Sequence, residues 1–125
     1  RCHADLLLLI PRGKFHALIA PLPFTYPRFE ARLAASGVEQ GMDRELVPAL
    51  RAFFYLPFEH SENLADQERC IALNKAAGDQ ESLKWAEIHA DIIRRFGRFP
   101  HRNPVLGRST TPEEQTFLDT GGFAG

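Results

Sequence analysis

An all-α domain is the fold this sequence predicts, and three observations predict it. The stretch from Asp79 to Gly97 has a capping acid, a terminating glycine and a 3.6-residue apolar rhythm between them. Thr111-Pro112-Glu113-Glu114 places a capping hydroxyl, a first-position proline and a capping-box carboxylate at the offsets a helix start requires. The other helix-forming stretches are joined by brief links, as in antiparallel helical bundles. The expectation is an antiparallel bundle or short superhelix of about four to six helices, essentially without sheet.

Residues 1–27 read as irregular. Pro11, Pro21, Pro23 and Pro27 forbid a continuous helix, and no period-2 alternation marks a strand. Leu6 to Ile10 fits either one helical turn or a short buried strand. Pro27 then suits a first helical position, with Phe29 and Leu33 four apart and Gly37 as a stop. A second helix is expected near Arg44 to Leu56. Pro48 must lie in its first turn, because deeper in a helix a proline costs about 3 kcal/mol. Leu46, Leu50, Phe53 and Phe54 give this helix an apolar face, and Pro57 closes it. Ser61 is the expected cap of a third helix over Glu62 to Ala77, ended by Gly78. In the fourth helix, Trp85, Ile88, Ile92 and Phe96 share one face, with Ala86 and Ile93 beside them. Lys84, Glu87, Asp91 and Arg95 form the opposite stripe. That apolar arc exceeds half the circumference, which predicts a central helix packed on two sides. A last short helix presents Phe117 and Leu118, and the tail over 119–125, with Gly121-Gly122, is expected to fray. The whole of 1–125 thus reads as one domain with its helices over 28–118.

Composition narrows the function. The 125 residues are 44% hydrophobic and include ten Phe, enough for a core that removes roughly two thirds of the unfolded surface from water. Sixteen acids against fifteen bases leave a net charge of −1, so no global field recruits nucleic acid or an anionic membrane. The longest purely apolar run, Leu6 to Ile10, is far short of a span of ~20 residues, and Pro11-Arg12-Gly13 follow it without a cleavage pattern. Cys2 and Cys70 make neither a metal spacing nor a disulfide framework, which fits a reducing, cytoplasmic setting. Because Arg1 stands first in place of Met, a fragment of a longer domain is expected.

Chemistry concentrates in two places. Between Asp91 and Glu113 there is no acid, yet Arg94, Arg95, Arg98, Arg102 and Arg108 all occur there, stiffened by Pro100 and Pro104. Planar guanidinium forks on a stiff loop suit carboxylate or phosphate recognition. They suit internal pairing equally, since residues 59–91 carry eight acids against three bases. The second place is Phe58-Glu59-His60-Ser61-Glu62, where Glu59 and His60 offer an acid/base pair or, read structurally, an ordinary polar turn. His89 lies inside the apolar arc of the fourth helix. An unsatisfied imidazole there would cost roughly 1–3 kcal/mol, so His89 is expected to be mostly buried and hydrogen-bonded to the 58–62 turn or the 97–103 loop. Glu59, His60, His89 and His101 have metal-ligating donor atoms but stand at no recognised ligand spacing, so neither metal nor cofactor is expected. Phe96 and Phe99 among arginines resemble a stacking platform for single strands. At neutral overall charge they read instead as anchors to the core, and no nucleic acid is expected.

These two stretches carry a resemblance. Phe53-Phe54-Tyr55-Leu56-Pro57-Phe58-Glu59-His60-Ser61-Glu62 is similar to a signature of the bacterial and fungal family called domain of unknown function 924. So is the downstream set of His89, Ile92-Ile93, Arg95 to Asn103, Leu106-Gly107-Arg108 and Thr111 to Glu114. The likeness spans about residues 25 to 118. The family's Asp-Gln-Phe-Pro-Arg-Asn motif has no counterpart around Ile10-Pro11-Arg12-Gly13-Lys14-Phe15, so the N-terminal part is expected to be absent or divergent. The resemblance implies an all-α, tetratricopeptide-like fold and no particular activity. It also implies a shared polar pocket of Glu59, His60, His89, Arg98, His101, Arg102 and Asn103.

Three functions follow as expectations. The first is a binding module for a small anionic ligand or an acidic peptide terminus, through Arg98, His101, Arg102, Asn103 and Arg108. The second is a hydrolase or transferase using Glu59 with His60 or His89 as acid and base. The third is a protein-interaction scaffold.

Overall fold

The computed structural model describes residues 26–124, with side chains from Glu30 onward; the readings of residues 1–25, including Leu6 to Ile10, lie outside the described residues. The described residues form five α-helices and no strand: α1 (Tyr26–Glu39), α2 (Pro48–Glu59), α3 (Leu64–Ala77), α4 (Gln80–Phe96) and α5 (Pro112–Asp119). Short 3-10 turns lie at Met42–Glu45 and Pro100–Arg102.

Each boundary has a local cause. α1 runs through Gly37 instead of stopping there. A Cβ at Gly37 would lie 2.5 Å from the Phe54 ring, so this glycine allows close approach of α1 and α2. The left-handed stop comes later, at Gly41 with φ 74°. α2 takes Pro48 at its start, as expected, but continues past Pro57 to Glu59. Seating Phe58, which is 0% exposed, gains about 2–3 kcal/mol, comparable with the ~3 kcal/mol an internal proline costs. This extra half-turn carries Glu59 inward. The cap of α3 is Asn63, whose Oδ1 accepts the Ala65 N–H at 2.9 Å. Ser61 instead accepts the Asn63 N–H and donates to Asp66 Oδ2 at 2.6 Å. Gly78 ends α3, while Asp79 and Gly97 bound α4 as expected. The capping box of Thr111 and Glu114 is fully formed.

Two apolar clusters share α4. The first gathers Ala31, Ala34, Tyr55, Phe58, Cys70 and Ala86, where α1 to α4 meet. The second gathers Ile92, Ile93 and Phe99, with Ile88, Phe96, Phe117 and Phe123 against them. α4 is therefore packed on two sides, but the centre of its buried arc is Ala86, His89, Ala90 and Ile93, and Trp85 is 44% exposed. The small Ala86 and Ala90 let the neighbouring helices approach; a tryptophan there would hold them apart. Leu33, at 65% exposure, likewise gives way to Ala31 and Ala34 on the buried face of α1. The tail that was expected to fray is tied back. The Gly122 N–H donates to the Phe117 carbonyl at 2.8 Å, and Phe123 packs on the His89 ring at 4.5 Å. No helix among the described residues is long and apolar enough to cross a membrane.

Candidate functional site

The last half-turn of α2 and the middle of α4 bring Glu59, His60 and His89 together, with donor atoms of all three within 4.8 Å of one another. The Gln67 amide, itself fully buried, donates to the backbone carbonyls of Glu59 and Ser61 and so fixes the turn that presents them. His60 caps α2. Its carbonyl accepts from Arg102 Nη1 at 2.9 Å. The guanidinium carbon of Arg102 lies over the Phe99 ring, 4.5 Å from its centroid.

His89 is 4% exposed, and its Nδ1 lies 2.8 Å from the Trp85 carbonyl. A carbonyl only accepts, so Nδ1 carries a proton, and in the neutral ring Nε2 carries the lone pair. The same Nδ1 is 3.4 Å from Glu59 Oε1. His89 is thus buried as expected. Its short hydrogen bond is to its own helix, and its link to the 58–62 turn is the longer contact with Glu59.

Glu59 is 8% exposed, and burial pushes its carboxyl up to about 7. Among the described residues no arginine or lysine forms an ion pair with it. Its partner is an imidazole.

The arginine loop builds a different network. Arg98 donates Nε and Nη2 to Glu114 at 2.6 and 2.9 Å. Arg108 grips Glu62 with Nη1 and Nη2 at 2.7 and 2.9 Å and donates Nε to Asn103 Oδ1 at 3.0 Å. Asn103, fully buried, donates to Glu114 Oε2 at 3.0 Å. Burial alone would raise the Glu62 carboxyl, but its bonds from Arg108 and the Phe99 N–H outweigh it and hold the group below its ordinary value. The Arg98 bond, ahead of all other causes, pulls Glu114 down to about 2.

Of the residues expected at a site, the structure brings Glu59, His60 and His89 into one cluster. His101 is its neighbour across shared rings, Phe99 at 5.7 Å and Phe123 at 5.5 Å. Arg102 stands behind His60. Arg98, Asn103 and Arg108 are engaged with Glu62 and Glu114, which is the internal pairing the acid-free stretch allowed. Burial, and after it the nearby Arg102, lowers the pKa of His101, and its Nδ1 is enclosed with no hydrogen-bond partner among the described residues.

Sequence reasoning missed Gln67, Phe123 and the carboxylate partners Glu62 and Glu114. The capping box named Glu114 as a helix-start residue, and only the acid-free stretch beside it hinted at a second use.

A family model described as "Bacterial protein of unknown function (DUF924)" matches residues 6–122. The match therefore includes most of the N-terminal part that was expected to be absent or divergent. No curated protein matches the chain. Among solved structures, that of the protein of unknown function ATU0120 from Agrobacterium tumefaciens is similar, with TM-score 0.75 and 41% identity. The likeness covers 82% of this chain, and this chain spans 59% of that one.

Proposed function

The chain belongs to the DUF924 family of bacterial proteins of unknown function, and on that premise we propose that its working centre is the Glu59–His60–His89 cluster, performing hydrolysis or group transfer on a small polar substrate. The observation that carries this reading is the contrast among three carboxylates. Glu62 and Glu114 are matched by arginine forks, whereas Glu59 is buried against an imidazole 3.4 Å away. Burying a carboxyl with so little compensation works against stability, and such placements cluster where a group is needed for chemistry. His60 is half-buried and marks the solvent side of the cluster, while Phe99 and Phe123 pack against the His89 ring.

Anion capture by the loop is the weaker reading, because the forks of Arg98 and Arg108 are already filled by protein carboxylates. A cytoplasmic setting accords with Cys70, a buried free thiol.

The test is a panel of chromogenic carboxylic esters, phosphate esters and amides. The expected result is turnover of one class that falls at least about 100-fold in His89→Gln, the scale of a lost acid or base. Turnover unchanged in His89→Gln and Glu59→Gln, or none with any class, overturns the proposal.

A further inference from the structure

We infer that Glu59, His60 and His89 bind a divalent transition metal of the zinc class, a carboxylate and two imidazoles supplying its protein ligands. The inference rests on reading this cluster as the working centre, and it names the cofactor of that centre.

Four observations support it. The first is the donor set. Two imidazoles and one carboxylate are the ligands of hydrolytic zinc sites and of open iron sites, and they leave a coordination position for water or substrate. Calcium and magnesium favour all-oxygen sets and fit this one poorly.

The second is distance. The donor atoms already lie within 4.8 Å of one another. Ligands of a tetrahedral zinc ion stand about 3.3 Å apart, given bonds of about 2.0–2.1 Å. The widest pair must close by at most about 1.5 Å. His60, half-buried at a helix end, has the most room to move.

The third is the outer shell. A metal-bound histidine commonly donates its other N–H to a backbone carbonyl, which fixes the tautomer and aims the ligating nitrogen. His89 makes this bond to the Trp85 carbonyl at 2.8 Å. Gln67 holds the Glu59 carbonyl, and Arg102 holds that of His60, so the backbone of both ligands at the end of α2 is anchored. Phe99 and Phe123 lie against the His89 ring, a low-dielectric wall that strengthens attraction between Glu59 and a cation.

The fourth is charge. The neighbouring Glu62 and Glu114 each have an arginine, but Glu59 has none among the described residues. A divalent ion supplies the missing positive charge without a cationic side chain. The three residues are also absent from any short ligand motif, because Glu59-His60 and His89 meet only through the packing of α2 on α4.

The experiment loads the metal-stripped chain with Co2+ alone and then displaces it with Zn2+. One equivalent should bind at micromolar metal or tighter, with visible ligand-field absorption between about 500 and 650 nm that Zn2+ abolishes. Glu59→Gln and His89→Gln should each weaken binding by at least about 100-fold, beyond the 10–100-fold typical of an outer-shell loss. Glu59→Gln removes a buried charge while keeping its shape, so it retains the fold, and unchanged helical circular dichroism confirms that.

No saturable binding by the folded wild type overturns the inference. So does one-to-one binding that survives both substitutions. Turnover that persists after chelation overturns the metal while leaving the working centre standing. One-to-one binding lost in both variants, without turnover of any substrate, supports the metal and overturns the hydrolase reading.

Discussion

Three glutamates within one end of the molecule titrate in two opposite directions, and in each case the environment explains why. Glu62 and Glu114 are held below the ordinary carboxyl value by arginine bonds, while burial pushes Glu59 up to about 7. Glu114 is the clearest stabilising case. Its oxygens accept from Arg98, Asn103 and the Thr111 N–H, and its own N–H closes the capping box. Glu114→Gln should cost about 2–3 kcal/mol in urea unfolding at neutral pH, since it removes a buried charge that several donors were arranged around. The folded-state pKa is depressed from 4.5 to about 2, so the stabilisation is complete above about 4.5 and disappears as the pH falls toward 2. The variant should lose that slope, and acid titrations of the two proteins followed by circular dichroism check it. Half of this residue was legible in sequence: the capping box named its backbone role, but its ion pair depended on a loop folding back onto it. Glu59 was singled out by its neighbours in sequence, yet its burial depended on α2 outlasting Pro57, which a proline signal argues against.

At the scale of elements, capping residues were read well where one chemistry was possible and poorly where two competed. Asp79, Gly78, Gly97 and Thr111 act as their sequence positions suggested. Ser61 and Asn63 both suit a helix start, and the turn chose Asn63 because the Ser61 hydroxyl is drawn to Asp66. Glycines were ambiguous in the same way. Gly37 looked like a stop and is a close approach, and Gly122 looked like slack and is a constrained turn. A Cβ at Gly122 would clash with the Phe117 carbonyl oxygen, a backbone atom that cannot swing aside. Gly122→Ala should therefore break the turn after α5 and lift Phe123 off His89, at a cost of roughly 1–3 kcal/mol for an overpacked site. Trp85, 6.5 Å from Phe123 between ring centroids, reports the event. Its fluorescence should shift toward that of a solvated indole, with the helical signal kept.

Across the whole molecule, helix number and order followed from periodicity and punctuation, because both are local. Which face of α4 turned inward did not, because two alanines outweighed a tryptophan once a neighbouring helix had to come close. The site followed the same rule. Its residues were legible as types, but their sorting into an imidazole–carboxylate cluster and an arginine–carboxylate network needed contacts between α2, α4, the loop after Gly97 and α5. These contacts also divide the labour of stability. The first cluster, over α1 to α4, is apolar, whereas the loop and α5 add the ion pairs Arg108–Glu62 and Arg98–Glu114 to the packing of Phe99 and Phe117 on α4.

That division has a consequence for how the protein comes apart. Guanidinium chloride is both a salt and the head group of arginine, so it competes directly for the carboxylates of Glu62 and Glu114, whereas urea is uncharged. The region from Gly97 onward should detach at guanidinium concentrations well below those that open the helices around Phe58, giving two transitions when Trp85 emission and helical circular dichroism are followed together. In urea the two signals should coincide. A denaturant that mimics one side of a clasp opens the clasp first.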